Sequence, residues 1–198
     1  MTFIKPVTLS GQVAELVPLS LAHLADLQEA VRDGELYKLW YTWIARPEAM
    51  QAEIERRLKL AEEGSMLPFA VIEKSSGKAV GMTTYMNVDA LNKRVEIGST
   101  WYRKAVQRTA LNTECKLLLL AHAFDDLGCI AVEFRTSFVN QQSRRGIERL
   151  GAKLDGIMRN HMRHSDGSLR DTCVYSIIEG EWPTIRTHLK HKLASYAG

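Results

Sequence analysis

The chain has 198 residues, 45% hydrophobic and 25% charged, the balance of an ordinary globular protein and not of a disordered or fibrous one. Lys and Arg total 26 against 23 Asp and Glu, a net charge of +3, which is too even to mark a nucleic-acid-binding surface by composition. The longest apolar run, Leu117 to Ala123, falls far short of the ~18 residues that a membrane span needs.

The length suits one domain with a sizeable core. The opening Met-Thr-Phe-Ile-Lys-Pro lacks the apolar core of a secretory leader, so the cytoplasm is the expected compartment. Cys115, Cys129 and Cys173 are odd in number and form no CxxC pair. They read as small buried hydrophobes in a reducing compartment, and no metal is expected.

In chain order, alternation over Val7 to Pro18 predicts a first strand with an irregular start around Ser10-Gly11. Ser20 reads as an N-cap, with Leu21, Leu24, Leu27 and Val31 at helical spacing until Gly34. A second helix is expected from Pro47 to Gly64, its apolar face Met50, Ile54, Leu58 and Ala61, and its Glu53/Arg57 and Glu55/Lys59 pairs on the surface. The period then changes to that of strands at Leu67–Glu73, Ala79–Asn87 and Arg94–Tyr102, the first two joined by a Ser75-Ser76-Gly77-Lys78 turn. A long helix is expected from Thr109 to Leu127, its stripe Leu111, Cys115, Leu118, His122 and Asp126, with His122 a partly buried helix histidine. After it come a strand at Ala131–Phe138, a helix at Gln141–Leu150 ended by Gly151, two strands around Asp166-Gly167, and a last helix from Trp182-Pro183. This is a mixed α/β chain in which an antiparallel meander feeds a strand-helix-strand crossover.

Chemistry concentrates where the meander meets the long helix. A helix N-terminus presents unpaired backbone N–H groups and the positive end of the dipole, and so favours anions. Arg103, Lys104 and Arg108 add three positive charges there, with Arg144 and Arg145 expected on the neighbouring helix. A phosphate seat and a solvated basic loop both fit these residues.

Further motifs decide in favour of the first. The junction Gln107-Arg108-Thr109-Ala110-Leu111-Asn112 resembles the Gln/Arg-x-x-Gly-x-Gly/Ala signature of the GNAT superfamily of N-acetyltransferases, with Ala110 and Asn112 replacing its small residues. Val95-Glu96-Ile97-Gly98-Ser99-Thr100-Trp101-Tyr102 is similar to the strand that precedes the loop in the RimJ/RimL-like branch, whose best-known members acetylate ribosomal-protein N-termini. Thr113-Glu114, Asn140-Gln141-Gln142-Ser143, Glu148-Arg149-Leu150-Gly151-Ala152, Asp155-Gly156 and Tyr175-Ser176-Ile177-Ile178 continue the likeness, which runs from about Pro6 to Trp182.

The resemblance implies a GNAT fold: a central, mostly antiparallel, twisted sheet flanked by helices and split by a V between its fourth and fifth strands. It implies acetyl-CoA as co-substrate. Main chain of Ser99, Thr100, Trp101 and Tyr102 would pair with the pantetheine arm, and Gln107, Arg108, Thr109, Ala110, Leu111, Asn112 and Thr113 would hold the pyrophosphate. Asn140 and Ser143 would face the cofactor from the other side, with Ser143 protonating the leaving thiolate; helix capping is the alternative role for both. Glu96 is the carboxylate expected to serve as base, a structural ion pair being its alternative. By period two it shares a face with Gly98, Thr100 and Tyr102.

Where branch members carry a glutamate base after the Glu-Gly continuation, this chain has Met162, which leaves His161 as a substitute near the acceptor. His164, before the Ser165-Asp166-Gly167 turn, reads as loop decoration. Trp40 and Tyr41, within Leu39–Trp43, are expected to form a lip of the acceptor cleft favouring an apolar or peptide-like amine, and Glu179 and Glu181 are carboxylates able to attract a cationic one. The expected reaction is acetyl transfer to a primary amine, with a protein N-terminus first and a small amine, amino acid or antibiotic second. A non-catalytic coenzyme A sensor is the rival of a different class, and a nucleic-acid module reading Arg186, His188, Lys190, His191 and Lys192 is another. A homodimer is compatible with any of these.

Overall fold

The computed structural model describes residues 3–164 and 166–196; Ser165, in the expected turn, lies outside them. Eight strands, β1 (Leu9–Ser10), β2 (Ala14–Pro18), β3 (Met66–Glu73), β4 (Lys78–Asp89), β5 (Arg94–Tyr102), β6 (Ala131–Ser137), β7 (Lys153–Arg163) and β8 (Leu169–Ile178), form one sheet in the order β1-β2-β3-β4-β5-β6-β8-β7. Every pairing is antiparallel except β5 with β6. The helices are α1 (Leu24–Arg32), α2 (Met50–Glu62), α3 (Ala110–Ala121), α4 (Gln141–Glu148) and α5 (Trp182–Ala194). No helix among the described residues is long and apolar enough to cross a membrane.

Two cores cover the two faces of the sheet. Leu27, Val31, Met50 and Ile54 of α1 and α2 pack with Ala70, Met82 and Trp101 on one face. Leu111, Cys115, Leu119 and Leu120 of α3, with Ile185 and Leu189 of α5, pack with Phe69, Tyr85, Val95 and Phe134 on the other. The apolar stripes expected of α2 and α3 supply these contacts. His122 is buried as expected, near the Tyr85 hydroxyl at 3.3 Å, where α3 loosens into a π turn over His122–Asp126.

The segment Val7–Pro18 is two strands rather than one. Glu114 of α3 causes the break: its carboxylate accepts hydrogen bonds from the backbone N–H groups of Gln12, Val13 and Ala14 at 2.7–2.8 Å. A side chain at position 11 would stand 2.3 Å from the Glu114 carboxyl carbon, so the contact requires Gly11. The extra strand makes the expected fourth and fifth strands β5 and β6.

The Glu53/Arg57 pair is also a correction. Both residues are buried, with Arg57 Nε 2.6 Å from Glu53 Oε1, because α2 turns this side toward the sheet. Arg57 then donates to Thr84 Oγ1 at 2.7 Å and to the Ser99 carbonyl at 3.2 Å. Ser99 has φ +48°, a left-handed backbone for a residue other than glycine, held at a cost of about 1–2 kcal/mol. It forms a bulge, because β4 pairs Thr84 with Gly98 and then Met82 with Trp101.

The bulge reverses the phase of β5. Glu96 and Gly98 lie together, since a Cβ at Gly98 would stand 2.8 Å from Glu96 Oε1. Beyond Ser99, Thr100 instead meets Lys116 of α3 and Tyr102 enters the α3 core, while Trp101 enters the α1/α2 core. The single face expected for Glu96, Gly98, Thr100 and Tyr102 therefore does not exist.

Lys116 is buried, and its ammonium donates to Thr100 Oγ1 at 3.1 Å, which in turn lies 2.7 Å from Thr83 Oγ1. Burial pulls Lys116 from the ordinary 10.5 down to about 8.

Replacing Arg57 with Met should lower stability by about 3 kcal/mol, since Glu53 keeps only the half-exposed Arg56. The Glu53→Met/Arg57→Met double variant should recover part of that loss in denaturant melts. For Lys116 the unfolded chain holds more protons than the folded one between about pH 8 and 10.5, so its contribution to stability rises with pH across that window. Lys116→Met should therefore be more stable than the parent at pH 7, with the advantage narrowing by roughly 2 kcal/mol by pH 10; a gap that does not change with pH would contradict the assignment.

Candidate active site

The V opens where β5 and β6 part. Their parallel pairing holds only at Arg94 with Ala131, Val95 with Val132 and Glu96 with Glu133. Past these, β6 stays paired with β8 as far as Ser137 with Thr172, while β5 runs on to Tyr102 beside β4. The β5 edge facing β6 thus lacks a strand partner from Ile97 onward, leaving main chain able to pair with an extended amide chain.

At the open end of the V the chain turns into α3. Thr109 caps the helix, its Oγ1 accepting from Leu111 N at 3.3 Å, and Arg108 takes a left-handed φ of +63°. The other first-turn N–H groups, on Ala110 and Asn112, have no intrahelical partner by helix geometry, which suits an anion. Ala110 and Asn112 keep ordinary helical backbone within α3, so neither departure from the small-residue pattern distorts the turn. Thr113 is fully buried with its Oγ1 3.4 Å from Arg149 Nη2, and its N–H is the first that helix geometry pairs within α3, so it does not offer the donor expected of it. Leu111 is core.

The basic cluster expected here is smaller than the sequence suggests. Arg103 is bound to Asp33 at 3.1 Å and to Glu29 at 3.5 Å, which ties β5 to α1. Arg144 lies over the Phe138 ring and donates to the Tyr175 hydroxyl at 3.1 Å. Lys104, Arg108 and Arg145 are the exposed cations. Gln107 donates to the Tyr102 carbonyl at 2.9 Å and accepts from Gln142 of α4 at 3.4 Å, linking both sides of the V.

Asn140 caps α4, its Oδ1 accepting from Ser143 N at 3.0 Å. The capping role is therefore real for Asn140. It uses only the backbone of Ser143, whose half-buried side chain stays available.

Glu96 sits at the crotch of the V. It is buried, accepts from Asn87 Nδ2 at 2.7 Å, and lies 3.4 Å from Arg135 of β6; Arg94 pairs with Glu133 instead. Burial raises its carboxyl above the ordinary range, while the Asn87 hydrogen bond and the Arg135 charge pull the other way. A carboxylate whose basicity is lifted in this way is a better proton acceptor than an ordinary surface one.

Where β6 ends and β8 begins is a cavity of about 280 Å³ whose walls include Trp40, Phe138, Val139, Asn160, Arg170 and Asp171; Glu96 is not among them. Trp40 reaches it from the α1–α2 loop, 5.7 Å from the Tyr41 ring and edge-on to His164 at 5.3 Å. His164, which reads as decoration in the sequence, is thus a wall residue. His161 is exposed, hydrogen-bonded to Thr172 Oγ1 at 3.1 Å, and not among the cavity's lining residues. The β7 register is irregular between Met158 and Met162, where Arg159, the left-handed Asn160 (φ +50°) and His161 stand opposite Asp171 alone. Glu179 and Glu181 lie at the other end of β8, with Glu181 paired to Lys153, away from the cavity. In the C-terminal basic cluster, Arg186 pairs with Asp125 and lies over Trp182, and His188 contacts the Arg149 carbonyl. Lys116, Arg135 and Arg170 escaped the sequence reading, and Arg57 entered it only as a surface pair; for Lys116 the signal was present, as one charge inside the run Cys115–Ala121. Among the described residues, no group of three or more metal-ligating side chains occurs.

The model of the acetyltransferase (GNAT) domain family matches residues 14–153. A relative from Bacillus subtilis (strain 168), named "Putative ribosomal N-acetyltransferase YdaF", is 29% identical over 106 residues, spanning 54% of this chain and 57% of the relative. The chain thus aligns with little more than half the length of that relative. A GCN5-related N-acetyltransferase from Brucella melitensis superposes with a TM-score of 0.86 at 29% identity, over 96% of this chain and 86% of the other. RimJ of Mycobacterium smegmatis, solved in complex with CoA-disulfide, shares the fold with a TM-score of 0.80 at 19% identity, over 94% of this chain and 95% of the other. A family match over most of the chain, on a sheet that parts between its two parallel strands, establishes that this protein belongs to the GNAT acetyltransferases.

Proposed function

We propose that the protein transfers acetyl from acetyl-CoA to a primary amine, with a protein N-terminal α-amine as the first acceptor class. The free β5 edge that ends at the α3 N-terminus carries this reading. It offers unpaired main chain for the amides of a pantetheine arm and a helix end for a pyrophosphate, in the order in which coenzyme A presents them. That RimJ of Mycobacterium smegmatis, which has the same fold, was solved with CoA-disulfide supports coenzyme A as the co-substrate, and the name given to the Bacillus subtilis relative supports a ribosomal-protein acceptor.

In this reading Thr100 and Trp101 supply the main chain for the arm, since the Ser99 carbonyl is engaged by Arg57 and the Tyr102 carbonyl by Gln107. Bound acetyl-CoA supplies the activated acyl carbon. Glu96 accepts the proton that the attacking amine sheds, directly or through one water, as the C–N bond forms. Ser143 gives its hydroxyl proton to the thiolate as the C–S bond breaks, and regains one from solvent. An α-amine with a pKa near 8 is partly neutral at physiological pH, whereas a lysine amine near 10.4 asks more of the base. A single buried carboxylate therefore favours the α-amine.

The deciding experiment is a mass-spectrometric acceptor screen with isotopically labelled acetyl-CoA across peptides and small amines, alongside direct measurement of coenzyme A affinity. Binding without turnover on every acceptor would favour the sensor instead. Glu96→Gln should lower kcat at least tenfold, flatten the acid limb of the pH–rate profile and leave coenzyme A affinity within about twofold; full activity in that variant would remove Glu96 from the role. Asn112→Asp should weaken coenzyme A roughly fivefold, about 1 kcal/mol of charge repulsion across a partly solvated gap. Its melting temperature should hold or rise, because an acidic residue suits the first turn of a helix.

A further inference from the structure

The arginines around the cleft are unequally satisfied. Arg94 is paired with Glu133 at 2.5 Å, and Arg135 with Glu133 at 2.9 Å and Glu96 at 3.4 Å. Arg159 is paired with Asp171 at 2.5 Å, and the second oxygen of Asp171 accepts from Asn160 N at 2.8 Å. Arg170, on β8 at the cavity wall, forms no ion pair among the described residues, and its Nε is buried without a hydrogen-bond partner. Four guanidinium groups thus face three carboxylates, and the surplus cation is Arg170; Arg159, which also lines the cavity, is paired. A buried donor without a partner costs about 1–3 kcal/mol, and a guanidinium fork is shaped for a carboxylate.

Arg170 lines the cavity, whereas Glu96, paired with Arg135 at the crotch of the V, is not among the lining residues but lies close enough for its charge to act on Arg170 without pairing with it. Trp40 and His164 close the outer side. We propose that Arg170 is a specificity residue that binds a carboxylate carried by the acceptor, while the acceptor's amine is directed toward Glu96. The substrate class is an amine with a nearby carboxylate. A free amino acid and a peptide that begins with an acidic residue both present this chemistry, and in both the carboxylate lies a few bonds from the α-amine. The proposal rests on the transferase reading above.

The test uses the whole protein with acetyl-CoA and two matched pairs of acceptors: tyrosine and tyrosinamide, and the C-terminally amidated peptides Asp-Ala-Ala and Asn-Ala-Ala. In at least one pair the acid should be acetylated with a kcat/KM at least tenfold above its neutral partner, and the pair that shows it identifies the source of the carboxylate. Arg170→Gln should raise KM for that acid tenfold or more, with the neutral partner and coenzyme A affinity within about twofold. Arg170→Lys, which keeps charge and stem, should fall between the two. Equal rates for acid and amide in both pairs, or a loss in Arg170→Gln shared by acid and amide alike, would overturn the carboxylate proposal and leave the transferase standing. Coenzyme A binding with no acetylation of any of the four acceptors would overturn both.

Discussion

The hydrogen bond from buried Arg57 to the Ser99 carbonyl, backed by Glu53, is the contact on which the site depends. It holds a left-handed serine in the middle of a strand, and that one residue sends the side chains before and after it to opposite faces. Glu96 can then face the opening of the V while Tyr102 fills the α3 core and Trp101 the α1/α2 core. A regular β5 would put Glu96 and Tyr102 on one side. Either the carboxylate would be lost to a core or the tyrosine to solvent, and both cost more than the 1–2 kcal/mol or so of backbone strain.

The separation of β5 from β6 follows from two competing pairings. β6 keeps its partner β8 to its end, β5 keeps β4, and the two parallel strands share only three register pairs before the sheet's twist and the bulge carry them apart. The gap is closed at its mouth by Gln107 and Gln142 at 3.4 Å, and floored on the α3 side by the Lys116–Thr100–Thr83 chain of polar contacts. Lys116 therefore stands beneath the strand edge proposed for the pantetheine arm, an ammonium that burial makes easier to deprotonate.

Periodicity placed the main helices and strands, because apolar spacing at 3.6 or 2 residues reports which face is buried whatever lies opposite. It went wrong where a distant group intervened. Val7–Pro18 reads as one strand since nothing local announces that Glu114, a hundred residues on, will take three of its backbone N–H groups. Glu53/Arg57 reads as a surface pair because i,i+4 spacing is the same for exposed and buried pairs. Gln107, Asn140 and Ser143 were legible as candidates from their motif order, whereas His161 was preferred to His164 because it flanks Met162, and which histidine lines the cavity is set by how β7 folds against the Trp40 loop.

By itself the sequence determined the family, the order of elements from the first helix onward, the helix end proposed for the pyrophosphate and Glu96 as a carboxylate on the strand before it. These depend on residues close together in the chain, whose spacing survives in one dimension. The tertiary structure alone decided how charge is used. A net of +3 is uninformative until pairing is known: Arg103 is held by α1, Arg144 by Tyr175 and Arg135 by two glutamates, while Arg170 is left with an unpartnered nitrogen at the cavity wall. Which cation keeps its charge for a ligand is a matter of distances across the fold, and those are fixed only when strands far apart in sequence are brought side by side.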